Sequence, residues 1–180
     1  MIYPKLYMLL LGCKPDGRHT EQHDILFAIG TSLKDLIPQI NDFWKDASKI
    51  HIDSWREVTS VNNNAIEIVE RKSFIEQPEK LFFINLGGYK PNEFEEFHYK
   101  VLAVNAEKSL AIQQVKETVF YKQKMSPHID DKYGVDVDDI YDVEEILPAQ
   151  LKEKYALKIS HGMAGKEDEL HIGYVKLNEL

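Results

Sequence analysis

The chain has 180 residues, 43% apolar and 29% charged, with 30 acidic against 22 basic residues and a net charge of −8. That size and balance suit one large or two small globular domains with a real core, and they exclude a disordered composition. The negative field, with no basic stripe interleaved with aromatics, argues against nucleic acid and anionic membranes as partners.

The first element is an apolar run from Leu6 to Leu11, followed by Gly12 and Cys13. Leu10-Leu11-Gly12-Cys13 has the form of a lipoprotein cleavage box, but the run is short for a signal-peptide core and only Lys5 precedes it. The segment also recurs from Leu81 to Pro91, so it reads as a strand closed by a Lys-Pro turn. Cys13 is the only cysteine, which excludes an internal disulfide and a zinc–thiolate cluster and suits a reducing, cytoplasmic setting. A second strand follows from His23 to Ile29. Leu33, Leu36, Ile37, Ile40 and Trp44 then share one helical stripe, with Ser32 and Asp35 placed as a capping box. Pro38 fits only the first turn of such a helix, so its start is expected near Asp35. His51-Ile52-Asp53 leads into further strand, and Asn62-Asn63-Asn64 reads as a hairpin turn.

The second half repeats this order. A strand from Phe82 to Leu86 and a strand from His98 to Val104 precede a helix with Asn105 as N-cap and Ala111, Ile112, Val115 and Val119 as its stripe. Strand is expected again from Gly134 to Ile146. A tail hairpin is expected from the strands Ala156–Ser160 and Glu169–Leu177. No stretch approaches the ~20 apolar residues of a membrane span.

Self-comparison turns this likeness into residues. Leu11-Gly12 matches Leu86-Gly87, Glu21-Gln22-His23 matches Glu96-Phe97-His98, and Ala28-Ile29 matches Ala103-Val104, each at a shift of 75. His51-Ile52-Asp53 matches His128-Ile129-Asp130 at a shift of 77. The fold expected is α+β: an internally duplicated ββαββ unit, with helices on one face of an antiparallel sheet and a C-terminal β-hairpin. The units span 1–76 and 77–150, the tail 151–180, and all pack as one globular domain.

The pattern Leu-Gly-x-Lys-Pro, Glu-x-His and His-Ile-Asp, with the stretch from His128 to Pro148, resembles the bacterial family known as domain of unknown function 1543. The resemblance covers roughly residues 6–148 and reads as two tandem copies of the family's unit. It implies a bacterial, cytosolic protein. It brings no activity, cofactor or catalytic residue.

Four side chains in each half have metal-ligand or acid–base potential: Glu21, His23, His51 and Asp53, then Glu96, His98, His128 and Asp130. Residues two apart on a strand share a face, about 7 Å apart, so Glu21 and His23 project together. Two imidazoles and two carboxylates suit zinc, manganese or iron, and an open position on the ion would activate water. The plainer reading makes Glu-x-His a loop brace and His-Ile-Asp a capped turn. Cys13 aligns with Gly88, a sign of a small-residue requirement rather than a nucleophile.

The acidic run Asp136, Asp138, Asp139, Asp142, Glu144 and Glu145 lacks the glycine and closing glutamate of a calcium loop and reads as a solvated face. Tyr89, Lys90 and Phe94 form a candidate binding loop that has no aromatic counterpart in the first half. No nucleotide motif or complete catalytic motif is present, so the cofactor question reduces to a divalent metal. The sequence favours a non-catalytic binding or assembly module, with homodimerisation and an unidentified small ligand open, over a metal-dependent hydrolase.

Overall fold

The computed structural model describes residues 3–47, 49–89, 92–115, 137–162 and 165–180. Internal contacts divide the chain into two units: Met1–Phe74 together with Leu147–Leu180, and Ile75–Ile146. The architecture is α+β, dominated by antiparallel strands.

In the first unit β1 (Lys5–Cys13) lies between β2 (Gln22–Gly30) and β3 (His51–Glu57), and β10 (His171–Lys176) adds outside β3. Alternation decides which face is core. Tyr7, Leu9 and Leu11 of β1 point with Leu26 and Ala28 of β2 and Ile52 of β3 onto Leu36 and Ile40. Burying each such side chain contributes roughly 1.5–3 kcal/mol. The helix α1 (Ile37–Phe43) follows a 3-10 turn at Leu33–Leu36 and carries Pro38 in its first turn, where a missing N–H costs nothing. Ser32 makes no side-chain cap; instead the Asp35 carboxylate accepts from the Thr31 N–H at 3.1 Å and from its hydroxyl.

A second sheet runs β4 (Ser60–Val61), β5 (Asn64–Glu70), β9 (Tyr155–His161). Val61 faces Asn64 across Asn62 and Asn63, whose φ values of 48° and 62° make the two-residue turn that the asparagine run predicts.

The tail does not form its expected hairpin. Strand β9 pairs with β5 and β10 pairs with β3, so each completes a different sheet edge. A helix, α4 (Ala149–Lys154), precedes β9, and Arg71 donates to the carbonyls of Lys152 at 3.0 Å and Tyr155 at 2.8 Å. Between the two strands Asp168 accepts from the Thr59 N–H and hydroxyl and the Ser60 N–H. These bonds draw the tail strands to separate edges, where each satisfies more backbone than a lone hairpin would.

The second unit has the strand order β7 (Glu96–Asn105), β6 (Lys80–Tyr89), β8 (Val137–Asp142). Phe82, Ile84, Leu86, Ala103 and Val137 bury against Ala111 and Val115 of α2 (Lys108–Val115). Residues 143–146, expected as strand, form the short helix α3 (Val143–Ile146), whose start is bonded by Asp142 accepting from the Glu144 N–H at 3.0 Å. Val119 lies outside the described residues. No helix among the described residues is long and apolar enough to cross a membrane.

Candidate metal centre

The first unit gathers its four predicted donors by strand register. Gly12 of β1 faces His23 of β2 on one side and His51 of β3 on the other. Residues directly opposite share a sheet face, so a row of three reads His23, Gly12, His51. Two strand spacings of about 4.8 Å separate the histidine backbones, and the missing side chain in the middle leaves room for both rings to lean inward. A Cβ on Gly12 would lie 2.5 Å from His51 Nε2 and 2.6 Å from Asp53 Oδ2.

Asp53 joins the row because the β1–β3 register shifts between Leu10 and Leu11: Ile52 faces Leu11, Ser54 faces Leu10, and Asp53 is the extra residue. Such a bulge re-aims a side chain. Glu21 enters from the loop just before β2.

The four meet through their imidazoles. His51 Nε2 lies 3.2 Å from Glu21 Oε1 and 3.3 Å from Asp53 Oδ1; His23 Nε2 lies 3.1 Å from Asp53 Oδ2 and 3.6 Å from Glu21 Oε2. Despite these distances, His51 Nε2 and Asp53 Oδ2 are both buried without a hydrogen-bond partner. The His51 side chain is only 5% exposed, and its Nδ1 faces the Lys49 carbonyl at 3.4 Å. A carbonyl can only accept, so an Nδ1–H donates there and Nε2 is the ring nitrogen left facing the centre. Tyr174 lies against the same imidazole, ring centroids 4.3 Å apart. Cys13, next in the strand, points to the opposite face; burial, and secondarily the Glu21 charge, push its thiol pKa up.

Donors around a tetrahedral zinc, at 2.0–2.2 Å from the ion, stand about 3.4 Å from one another. The four imidazole–carboxylate contacts above, 3.1–3.6 Å, bracket that value, but they use both oxygens of each carboxylate, so closing on one ion requires the side chains to re-aim. Leaving a buried imidazole nitrogen and a buried carboxylate oxygen unsatisfied costs several kcal/mol in all, on the order of 1–3 kcal/mol for each group and more for the charged one. An ion coordinated by all four would remove that cost; among the described residues, the set that already brings one donor atom from each of three side chains within 4.8 Å of one another is Glu96, His98 and Asp138 of the second unit.

In the second unit Gly87 faces His98, and the β6–β8 register shifts between Asn85 and Leu86, so that Val137 faces Leu86 and Asp138 is the extra residue. A Cβ on Gly87 would run into the Asp138 carboxylate. His98 Nε2 lies 3.3 Å from Asp138 Oδ2 and 3.8 Å from Glu96 Oε1, and one donor from each of the three falls within 4.8 Å of the others. His98 is 35% exposed at its side chain.

Asp138 is the residue that sequence reasoning missed, having placed it on a solvated acidic face. The matching bulges align Ile52-Asp53 with Val137-Asp138, a shift of 85 rather than 77. The signal available in the sequence was the apolar-then-Asp step beside strand alternation; the identical His-Ile-Asp triplet drew the match elsewhere. His128, Asp130 and Lys90 lie outside the described residues. Tyr89 ends β6 opposite Glu96, and Phe94 is fully exposed in the turn that follows. In the tail, His161 Nδ1 meets Asn64 Oδ1 at 2.9 Å and His171 stacks on Trp55 at 3.8 Å, so neither joins a donor cluster.

Residues 18–68 match the family model described as Domain of Unknown Function (DUF1543). That span holds Glu21, His23, His51 and Asp53. A solved structure, the crystal structure of a protein Il1583 from Idiomarina loihiensis, is 20% identical over 97% of this chain and 98% of that one, with a TM-score of 0.64. The likeness is one of fold. No curated protein matches.

Proposed function

We propose that this chain is a metal-dependent binding module built from two copies of one unit, with its principal ion, of the zinc type, held by His23, His51, Asp53 and Glu21. The observation that carries the reading is the buried His51 Nε2, within 3.3 Å of the Glu21 and Asp53 carboxylates and with no hydrogen bond of its own. Two imidazoles and two carboxylates favour zinc, and manganese or iron rank below it in a site with two nitrogen donors. The duplication is supported by the ordered sequence matches and by the same glycine row and bulged aspartate in each unit.

The donors differ in exposure. Asp53 Oδ2 and His51 Nε2 are buried, whereas the Glu21 side chain is 43% exposed on a loop. Glu21 is therefore the most easily displaced of the four residues that would hold the ion, and its position is where a small molecule would reach it. Four protein donors fill a tetrahedral shell, which suits binding; the hydrolase reading requires Glu21 to leave and act as a base toward an ion-bound water. The wild-type protein, stripped and titrated with zinc against a chromophoric chelator, should take up one tight equivalent that Glu21→Gln weakens only modestly. Failure to hold zinc at micromolar free metal would overturn the reading.

A further inference from the structure

The second unit holds a smaller donor set of a different kind. Glu96 and His98 stand two apart on β7 and share a face. Asp138, the bulged residue of β8, reaches over Gly87, where a Cβ would run into its carboxylate. One donor atom from each of the three lies within 4.8 Å of the other two. Donors adjacent on an octahedral ion stand about 3 Å apart, against 3.3 Å from His98 Nε2 to Asp138 Oδ2 and 3.8 Å to Glu96 Oε1. A single ion therefore meets one atom of each residue with only small shifts.

The flank of this set is polar. In the row beside the donors Asn85 faces Lys100, where the first unit has Leu10 facing Ile25. Asn85 Nδ2 donates to Asp138 Oδ2 at 3.4 Å and so steadies the carboxylate from behind. Asn85 Oδ1 is buried without a hydrogen-bond partner. Water carried by an ion at this centre is a donor of the kind that oxygen needs. The Asp138, Glu96 and His98 side chains are 27%, 31% and 35% exposed, so solvent reaches the set.

We propose that Glu96, His98 and Asp138 form a second, open centre for a hard divalent ion of the manganese type, whose remaining positions carry exchangeable water. This goes beyond the zinc reading of the first unit and does not depend on it. One imidazole and two carboxylates, with water completing an octahedral shell, suit manganese better than the closed four-donor shell of structural zinc. The two carboxylates balance the charge of the ion. A set of three donors on one side leaves the solvent side of the ion free.

The test uses the full chain, given one equivalent of zinc, desalted, and titrated with manganese(II). Free manganese is read by electron paramagnetic resonance and bound manganese by water-proton relaxation. Wild type should take up one manganese equivalent, with relaxation enhanced by the waters that exchange on it. His98→Ala and Asp138→Asn should each weaken that equivalent about tenfold or more, and His51→Ala should change it less than about threefold. No uptake by wild type, uptake that survives both second-unit substitutions, or bound manganese without relaxation enhancement overturns the proposal. Failure to retain zinc while manganese uptake still depends on His98 overturns the reading of the first unit and leaves this one standing. If His98→Ala does not fold, Asp138→Asn, of nearly the same shape as wild type, decides.

Discussion

In the first unit the glycine row ends in two histidines, one of them with only 5% of its side chain exposed; in the second the described donors are Glu96, His98 and Asp138, and His98 is 35% exposed. Both rows use a bulged aspartate over a glycine, so the backbone device is shared. The matching donors are similarly exposed, His23 at 42% against His98 at 35%, and what differs is the additional, buried His51 of the first unit. Exposed donors can be satisfied by solvent when no ion is present, whereas a buried Nε2 cannot. The buried His51 Nε2 therefore singles out the first centre for the proposed ion.

The sharpest way to break the comparison is to fill the gap that makes the row possible. Gly12→Ala places a methyl 2.5 Å from His51 Nε2 and should abolish tight zinc uptake, checked by competition titration. Gly87→Ala should leave the first equivalent unchanged. Next in size, His51→Ala should weaken zinc by about 100-fold or more, while His98→Ala should change the tight equivalent less than about threefold. If the two variants were equivalent, burial would not be what distinguishes the centres.

A third difference lies beneath the sheet. Tyr7 occupies the place in β1 that Phe82 occupies in β6, facing Ala28 and Ala103 respectively. Burial first, then the Glu57 charge and hydrogen bond, raise the Tyr7 pKa to about 12. A raised folded-state pKa means that the unfolded chain ionises first. Its stabilising contribution is therefore complete below about pH 10 and lost as pH climbs toward 12, on the order of 2 kcal/mol. Denaturant melts of wild type and Tyr7→Phe across that range should converge as pH rises.

The smallest effect has the most telling sign. His51→Leu removes the unsatisfied Nε2, so the metal-free variant should be as stable as wild type or about 1 kcal/mol more stable, and zinc should no longer raise its melting temperature. A large loss of metal-free stability would make His51 a structural residue.

Much of this was legible in the sequence because it depends on local signals. Apolar runs located β1 and β6, dense branched and aromatic residues located β2 and β7, Pro38 located the start of α1, and Asn62-Asn63 located a turn. Glu21, His23, His51 and Asp53 were named from spacing alone, and register brings them together. Strand bulges were not legible, and without them the partner of His98 could not be placed at Asp138. The tail was misread for a similar reason: two neighbouring strands look like a hairpin unless the edges offered by β3 and β5, 85 or more residues earlier, are known.

X-ray absorption at the zinc edge of the protein loaded with one equivalent tests the central claim most directly. The account predicts a four-coordinate shell of two imidazole nitrogens and two carboxylate oxygens at about 2.0–2.2 Å, losing one imidazole in His51→Ala. A shell of water oxygens, or one unchanged in His51→Ala, would contradict it.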